Sequence, residues 1–432
     1  MEHTLTIHKL IHGGKGLGTL ADGMVVMVAG VLPGETVTVR ETKVLRGHKE
    51  AELVRIEEAS PDRVTPPCPH YGNCGGCNLQ HASYEAQLRI KREVLQESLQ
   101  RARIELPENQ PLPTLPSPQV LGYRYRIRLH LDDEGHLGYH QATSNTVVPI
   151  RRCLLATDAI NRVLESLVDE GMPEQLHGRF AEIELIHSPA DGRVILVLHP
   201  HPRVIETTLG PLGTTLASLA DELVLAHTKA DRSVQQRSKI SLGQDFSIHT
   251  HEYPLRWAPG CFFQVNAEQN PNLIALALDA LQQLPPSFTA LDLFCGMGNF
   301  SIPLALQGAQ VLGVEHNRES IHWATTNSTA SNLTASRFIA GNVVEQLRRM
   351  VKRHQHMDCI LSDPPRQGLG KAAALLPQLR PQLIVAISCD PATQARDLQE
   401  IVAGGYRLRH ITPVDMFPQT HHIESLALLE RN

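Results

Sequence analysis

Residues 291–300 read LDLFCGMGNF, an apolar run that gives way to two closely spaced glycines. This pattern predicts a buried strand, a tight glycine turn and the start of a helix. Three further apolar runs, separated by helix-like segments, are VLGVE at 311–315, CILSD at 359–363 and LIVAIS at 383–388. The alternation predicts an α/β fold in which a Rossmann-like, doubly wound parallel sheet carries helices on both faces.

The glycine turn is a candidate nucleotide site. Glu315 ends the strand after the one that contains Asp292, and a carboxylate there can accept both hydroxyls of a ribose. The turn lacks the third glycine of a dinucleotide fingerprint, and no Gly-Lys-Ser or Gly-Lys-Thr follows it. Adenosylmethionine therefore fits better than a dinucleotide or a phosphate ligand, although a glycine turn alone allows all three.

Two further strand ends carry candidate catalytic groups at the same edge of the sheet. In SDPPR, residues 362–366, two prolines restrict the backbone and should hold Asp363 towards the crevice. Cys389 follows the last apolar run and precedes Pro391 and a helix. We expect the N-terminus of that helix to lower the pKa of the thiol; the alternative is a small buried apolar residue.

A thiolate at this position suits methylation of a uracil at C5. That carbon has no lone pair, but addition of a thiolate to C6 makes C5 nucleophilic towards a sulfonium methyl. The C5 proton must then leave, which requires a general base. Glu424, which ends FPQTHHIE at 417–424, is the candidate base, with His421 and His422 as alternatives.

Four of the eight cysteines lie in the first half of the chain, at Cys68, Cys74, Cys77 and Cys153. Three are close in sequence and one is remote, which favours the thiolate ligands of an iron–sulfur cluster. Zinc, whose ligands often come as two close pairs, is the alternative.

Composition divides the chain into three regions. Residues 1–57 are rich in Val, Thr and Gly and predict a small β-barrel. Residues 58–253 predict a central α+β domain, with a helical crossing segment at about 84–118 whose helix runs from Tyr84 to about Arg103. Residues 254–432 carry the parallel sheet.

The formal charge of −5 gives no overall positive field, so any contact with nucleic acid must come from local patches. One candidate is YRYRIR at 123–128, where rings that can stack on bases alternate with arginines; a solvated strand face is the alternative. No long apolar run predicts a membrane span, and residues 1–10 lack the features of a secretory signal. We expect a cytoplasmic monomer with no membrane contact.

Five motifs resemble, in order, the signature blocks of the RNA uracil-C5 methyltransferases: FFQVN, DLFCGMGNF, DPPRQG, SCDPATQARDL and FPQTHHIE. The resemblance implies that Cys389 is the nucleophile, Glu424 the base and Phe262 the ring that stacks near the target. It also implies an S-adenosyl-L-methionine site lined by Gln264, Phe294, Asn299, Glu315, Asn342 and Asp363.

The first half of the chain resembles one branch of this family. The resemblance implies a TRAM domain, which is a small RNA-binding barrel, and a [4Fe-4S] cluster held by Cys68, Cys74, Cys77 and Cys153. The layout is most similar to the branch that methylates 23S ribosomal RNA, which is therefore the expected partner. A transfer RNA methyltransferase is the alternative.

Two departures from the family pattern lie near the candidate catalytic residues. Asp390 stands where the family more often has Asn, and we expect its charge to raise the pKa of the neighbouring thiol. His421 and His422 stand where a Pro-His pair is commoner. Two other hypotheses are a catalytically silent RNA-binding factor, which the intact motifs disfavour, and a cytosine-C5 methyltransferase, which the Ser-Cys-Asp-Pro context disfavours.

Overall fold

A computed structural model describes residues 1–106, 112–201, 209–226 and 240–432. These residues form a closed barrel, a six-stranded sheet, a two-stranded hairpin and a seven-stranded sheet. In the part of the chain so described, no helix is both long and apolar enough to cross a membrane.

The predicted N-terminal barrel is confirmed. Its strands are β1 (Glu2–Leu10), β2 (Gly16–Thr19), β3 (Val25–Val28), β4 (Thr36–Leu45) and β5 (His48–Glu58). They pair in the order β1-β2-β3-β5-β4, and β1 closes the barrel by pairing with β4. Leu5, Ile7, Val37 and Val39 alternate along their strands and fill the interior. Closure leaves no edge strand open, so five short strands suffice for a stable unit.

The predicted helix after the cysteine cluster is also confirmed, as α1 (Tyr84–Arg101). It begins where the Ser83 hydroxyl accepts a hydrogen bond from the N–H of Ala86, at 3.3 Å. It ends before Arg103, whose φ of +54° is a left-handed conformation that an α-helix cannot continue. Leu95 and Leu99 belong to the core of the C-terminal sheet, so this helix packs on that sheet although the sequence placed it in the central region.

The central region contains a mixed sheet with helices packed against it. Its elements are β6 (Arg126–Leu131), β7 (Leu137–His140), β8 (Val147–Pro149), α2 (Asp158–Asp169), α3 (Met172–Leu176), β9 (Phe180–His187), β10 (Val194–Pro200), α4 (Pro211–Leu219) and β11 (Glu222–Leu225). The strand order is β11-β10-β9-β6-β7-β8. Ile160, Leu164 and Leu167 of α2 recur at helical spacing and are fully buried against this sheet.

An antiparallel hairpin of β12 (Leu242–Ile248) and β13 (His251–Trp257) follows. The domain boundary drawn from the sequence between residues 253 and 254 falls inside β13. Phe246, Leu255 and Trp257 of the hairpin share a core with the C-terminal sheet. We therefore propose that the C-terminal domain begins before β12.

The C-terminal region is the predicted Rossmann-like fold. Its elements are α5 (Asn270–Asp279), β14 (Thr289–Leu293), α6 (Ser301–Leu306), β15 (Gln310–Glu315), α7 (Arg318–Ala330), β16 (Arg337–Ala340), α8 (Val343–Lys352), β17 (Cys359–Ser362), a 3₁₀ helix (Gly370–Leu379), β18 (Leu383–Ser388), α9 (Pro391–Ala403), β19 (Tyr406–Val414) and β20 (Glu424–Arg431). All four predicted strands are present. Strands β16, β19 and β20 were not predicted. Strand β16 is a four-residue edge strand that is only partly buried, and β19 and β20 form an antiparallel pair outside the strand–helix alternation on which the prediction rested.

The order of the seven strands is β16-β15-β14-β17-β18-β20-β19. Strands β14 to β18 are parallel, and β20 is antiparallel to both β18 and β19. The chain moves from β14 to β15 on one side and returns to β17 on the other, so the sheet has a switch point between β14 and β17. Ligands of such sheets bind in the crevice at the carboxyl ends of the strands beside this point.

Candidate active site

The glycine turn after β14 lies at the switch point. Phe294 adopts a φ of +62°, which turns the chain sharply, and its N–H donates to the carbonyl of Val314 at 2.8 Å. Gly298 has a φ of +97°, and a Cβ there would lie 3.0 Å from Ile302, so the turn has no room for a side chain. The backbone therefore remains open to a ligand on the crevice side.

A fully buried carboxyl group lies beneath this turn. Asp292 accepts a hydrogen bond from the Ser301 hydroxyl at 2.5 Å, while its Oδ1 atom has no partner among the described residues. Burial raises the pKa of Asp292 to about 7, and the charges of Asp363 and Glu315 act in the same direction. Three acidic groups thus converge on the crevice, and together they favour a cationic ligand.

The other predicted cofactor residues surround the same crevice. Gln264 donates to Asp363 Oδ2 at 3.3 Å, although the two residues are 99 positions apart. Asn299 exchanges two side-chain hydrogen bonds with Asn270, at 2.8 and 3.1 Å. Glu315 accepts from the N–H of Asn317 at 2.7 Å. These contacts fix the side chains before any ligand arrives.

Asn342 has a structural contact that the sequence did not suggest. It caps the N-terminus of α8, where its side-chain oxygen accepts from the N–H of Glu345 at 3.1 Å. Because it follows β16, it lies at the carboxyl edge of the sheet. Its contribution to cofactor binding stays a prediction.

Cys389 and Glu424 meet across two neighbouring strand ends. Strands β18 and β20 are antiparallel, and Ser388 pairs with Ser425. In that register Cys389, one residue further along β18, lies opposite Glu424, one residue earlier in β20. The pairing brings the predicted nucleophile and the predicted base together, although 35 residues separate them in sequence.

Burial and negative charge raise the pKa of the Cys389 thiol. Cys389 is partly buried, and burial together with the charges of Glu424 and Asp363 raises its pKa to about 12; Arg366 opposes this shift. Our expectation that the N-terminus of α9 would lower this pKa is therefore wrong for the protein without ligand. Desolvation and two nearby carboxyl groups outweigh the partial charge of a helix end.

Desolvation and the charges of Glu424 and Asp363 are the largest causes of the raised pKa of the Cys389 thiol, and the effect of Asp390 on that pKa stays a prediction. The Asp390 side chain caps α9 by accepting from the N–H of Thr393 at 2.8 Å. The other carboxylate oxygen lies 3.3 Å from His12 Nε2 in the barrel. The Asp390 carboxylate is thus oriented towards the N–H of Thr393 and the ring of His12.

Glu424 has the environment of a general base. It is buried, its Oε1 atom has no hydrogen-bond partner within the described residues, and burial raises its pKa well above the usual value. Burial instead lowers the pKa of His421 to about 4 and that of His422 to about 3. The histidines are therefore weaker bases than Glu424 at neutral pH.

Phe262 and Arg366 are two further residues of the sequence motifs. Phe262 is 65% exposed, whereas Phe263 is buried and stacks on Trp257 with ring centroids 5.0 Å apart. The two adjacent aromatic residues thus separate into one exposed ring and one core ring. Arg366, to which the sequence analysis gave no role, contacts His422 Nε2 at 3.3 Å, and its positive charge favours the thiolate of Cys389.

Cys68, Cys74, Cys77 and Cys153 line one cavity. Burial, together with the charges of Cys153 and Cys74, raises the pKa of Cys77 to about 12. Among the described residues, no three of these sulfur atoms lie within 4.8 Å of one another, as the ligands of a single ion would. Four thiols around a larger space fit an iron–sulfur cluster better than one zinc ion.

The residue next to this cavity supports the same interpretation. Arg124 is half-buried beside Cys77 and Cys153, and its buried Nε atom has no hydrogen-bond partner in the described part of the chain. A partly buried cation of this kind suits a negatively charged cluster with thiolate ligands. The prediction that the Tyr123 ring stacks on RNA is wrong, because this side chain is fully buried, and Arg124 is only half-exposed.

The amino-acid sequence matches a family of known proteins. The model of the family described as tRNA (Uracil-5-)-methyltransferase matches residues 83–432. A protein of Shewanella amazonensis named 23S rRNA (uracil(1939)-C(5))-methyltransferase RlmD is 35% identical over 99% of this chain and 95% of its own length. A protein of the same name from a second Shewanella strain is 34% identical with the same coverage.

One solved structure is similar over the whole chain. It is Pyrococcus abyssi tRNA (uracil-54, C5)-methyltransferase in complex with S-adenosyl-L-homocysteine. The TM-score is 0.75 at 25% sequence identity, and the match covers 99% of this chain and 100% of that chain.

Proposed function

The chain belongs to the tRNA (uracil-5-)-methyltransferase family, and from this we propose that it methylates C5 of a uridine in 23S ribosomal RNA. S-adenosyl-L-methionine is the methyl donor. The observation that carries the proposal is the pairing of Cys389 with Glu424 beside Asp363, at the carboxyl edge of the sheet. A thiol, a buried carboxyl group and a cation-favouring crevice are the three components that C5 methylation requires.

The proposed reaction proceeds in three steps. The Cys389 thiolate adds to C6 of the uracil, and the electron pair of the C5–C6 double bond becomes available at C5. C5 then attacks the sulfonium methyl group, which releases S-adenosyl-L-homocysteine. Glu424 removes the proton from C5, the double bond forms again, and the thiolate leaves C6.

The raised pKa values of the free protein are consistent with this sequence of steps. The carboxyl groups of Glu424 and Asp363 disfavour the thiolate in the absence of a cation. A bound sulfonium offsets their charge, and Arg366 favours the thiolate in the same way. We infer that the nucleophile becomes reactive only after the methyl donor has bound.

We propose that Gln264, Phe294, Asn299, Glu315, Asn342 and Asp363 bind the methyl donor and that Phe262 stacks on or beside the target base. The exposure of Phe262 supports this role, because an aromatic ring in water gains from base stacking. We assign a [4Fe-4S] cluster to Cys68, Cys74, Cys77 and Cys153, and its thiolate ligands would hold the central region together. The expected setting is a cytoplasmic monomer acting on ribosomal RNA.

Methylation of transfer RNA is the second candidate. The similarity to the P. abyssi enzyme over the full length of both chains favours it. The two 23S ribosomal RNA methyltransferases are more similar in sequence over the same span, and we rank the ribosomal substrate first for that reason.

The test uses 23S ribosomal RNA transcribed in vitro, with transfer RNA transcripts in parallel. We expect the wild-type protein to form 5-methyluridine in the ribosomal RNA, identified by mass spectrometry of the nucleosides. Cys389→Ala should abolish transfer, and Glu424→Gln should accumulate a covalent protein–RNA adduct. Cys359→Ala is the matched control, because that thiol is fully buried in the sheet. A fully active Cys389→Ala protein, or 5-methylcytidine as the product, would refute the proposal.

A further inference from the structure

Asn78 lies where three loops of the protein meet. We name them the barrel loop (residues 11–15), the cysteine loop (68–81) and the base loop (415–423), which leads directly into Glu424. The Asn78 side chain donates to the carbonyl of Gly13 at 3.1 Å and to His421 Nδ1 at 2.8 Å. Its oxygen accepts from the N–H of His421 at 2.8 Å. One amide therefore connects all three loops.

The backbone of the cysteine loop strengthens this connection. The N–H groups of Asn78 and Leu79 both donate to the carbonyl of Gln419, at 3.2 and 3.0 Å. Gln419 has a φ of +70°, a left-handed conformation that a residue other than glycine adopts only when its surroundings impose it. The cysteine loop thus holds the base loop in a conformation that it would not adopt by itself.

The barrel loop can approach Asn78 and His421 closely because residue 14 is a glycine. Gly14 has a φ of +78°, and a Cβ there would lie 2.7 Å from the Asn78 amide nitrogen and 3.3 Å from His421 Cβ. Only glycine leaves space for this contact. Burial lowers the pKa of His421 to about 4, so its ring is neutral at neutral pH and carries one N–H; donation from the Asn78 amide to Nδ1 assigns that proton to Nε2.

We propose that Asn78 is a positioning residue for Glu424: it fixes residues 419–421 and thereby places the base opposite Cys389. Because Asn78 directly follows Cys77, whatever group holds Cys77 also fixes Asn78. The cysteine loop is then part of the support of the catalytic base, although the two are more than 300 residues apart in sequence. This inference rests on the proposed function and assigns Asn78 a role in positioning the base.

The test is Asn78→Ala in the full-length, iron-loaded protein. The matched control is Asn73→Ala, because Asn73 is an exposed asparagine in the same loop and is adjacent to Cys74, as Asn78 is adjacent to Cys77. With unmodified 23S ribosomal RNA we expect kcat to fall at least about tenfold while KM for RNA changes by less than about twofold. We expect the fraction of protein trapped as covalent RNA adduct to rise, as we also expect when Glu424 itself is replaced by glutamine.

Three further measurements separate positioning from loss of structure. Iron content, affinity for S-adenosyl-L-methionine and melting temperature should be the same in Asn78→Ala and Asn73→Ala. A fall in any of these that accompanies the loss of turnover would overturn the inference, and so would unchanged kcat. If the wild-type protein methylates the RNA and Asn78→Ala is equally active, only this inference fails. If the wild-type protein transfers no methyl group, the proposed function fails and this inference fails with it.

Discussion

The raised pKa of Asp363 predicts that the methyl donor binds more tightly as the pH rises. Burial holds this pKa at about 7 in the protein without ligand, where Gln264 is the hydrogen-bond donor to the carboxyl group. A cationic ligand prefers the ionised carboxylate, which is the minor form below pH 7 and the major form above it. The sign is therefore an increase in affinity with increasing pH.

The size of the effect follows from the ionised fraction. At about pH 6 roughly one tenth of Asp363 is ionised, and at about pH 8 roughly nine tenths. If only the ionised form binds, the apparent Kd is the intrinsic Kd divided by that fraction, so it should fall about tenfold over this range. Binding should also release a proton near neutral pH.

Isothermal titration calorimetry measures both quantities, since titrations in buffers of different ionisation enthalpy report the released proton. Asp363→Asn should bind more weakly and show a smaller dependence on pH, to which Asp292, whose pKa is also raised to about 7, still contributes. Asp358→Asn is the matched control at the opposite end of β17, because hydrogen bonds from Thr289 keep the pKa of Asp358 low and its charge constant in this range. A wild-type Kd that does not change with pH, or a slope in Asp363→Asn as steep as in the wild type, would refute the reasoning.

Three other substitutions have defined outcomes. Lys91→Met leaves the buried carboxylate of Asp415 without its partner at 2.6 Å, and should lower the free energy of unfolding in urea by about 3–5 kcal/mol; a loss below about 1 kcal/mol would contradict this. Asp390→Ala removes the cap of α9 and should cost about 0.5–2 kcal/mol in the same assay, whereas Asp390→Asn should be nearly neutral. Phe262→Ala should leave the melting temperature unchanged but weaken RNA binding in a filter assay by about 1–3 kcal/mol, because an exposed ring contributes to stacking and not to the core. A large fall in melting temperature would show that this ring is structural.

The sequence predicted the catalytic sheet well because its signals are local. Each of the four predicted strands is a short apolar run, and the turn after β14 needs glycine at positions where φ is positive. Carboxyl ends of parallel strands share one edge of a sheet, so Asp363 and Cys389 could be placed in one crevice without any structure. Strand β16 lacked such a signal, because it is short and partly exposed.

The electrostatics of the site could not be predicted in the same way. The helix after Cys389 was correctly anticipated, but its effect on the thiol was not, because the controlling carboxyl groups come from other strands. The alternating run at 123–128 was misleading at Tyr123, which is covered by a segment distant in sequence. Tyr123 donates to the carbonyl of Pro418 at 3.0 Å.

The chemical groups of the site can be identified from the amino-acid sequence alone: a glycine turn, a thiol at a strand end, a carboxylate near the C-terminus and four cysteines in the first half. The contacts between these groups, and the pKa values that result from them, depend on the folded structure. The antiparallel return of β20 sets Glu424 opposite Cys389, and Asn78 reaches a loop 343 residues away. Such contacts, and the burial that shifts the pKa of each group, depend on packing between distant segments, which a local pattern of residues does not encode.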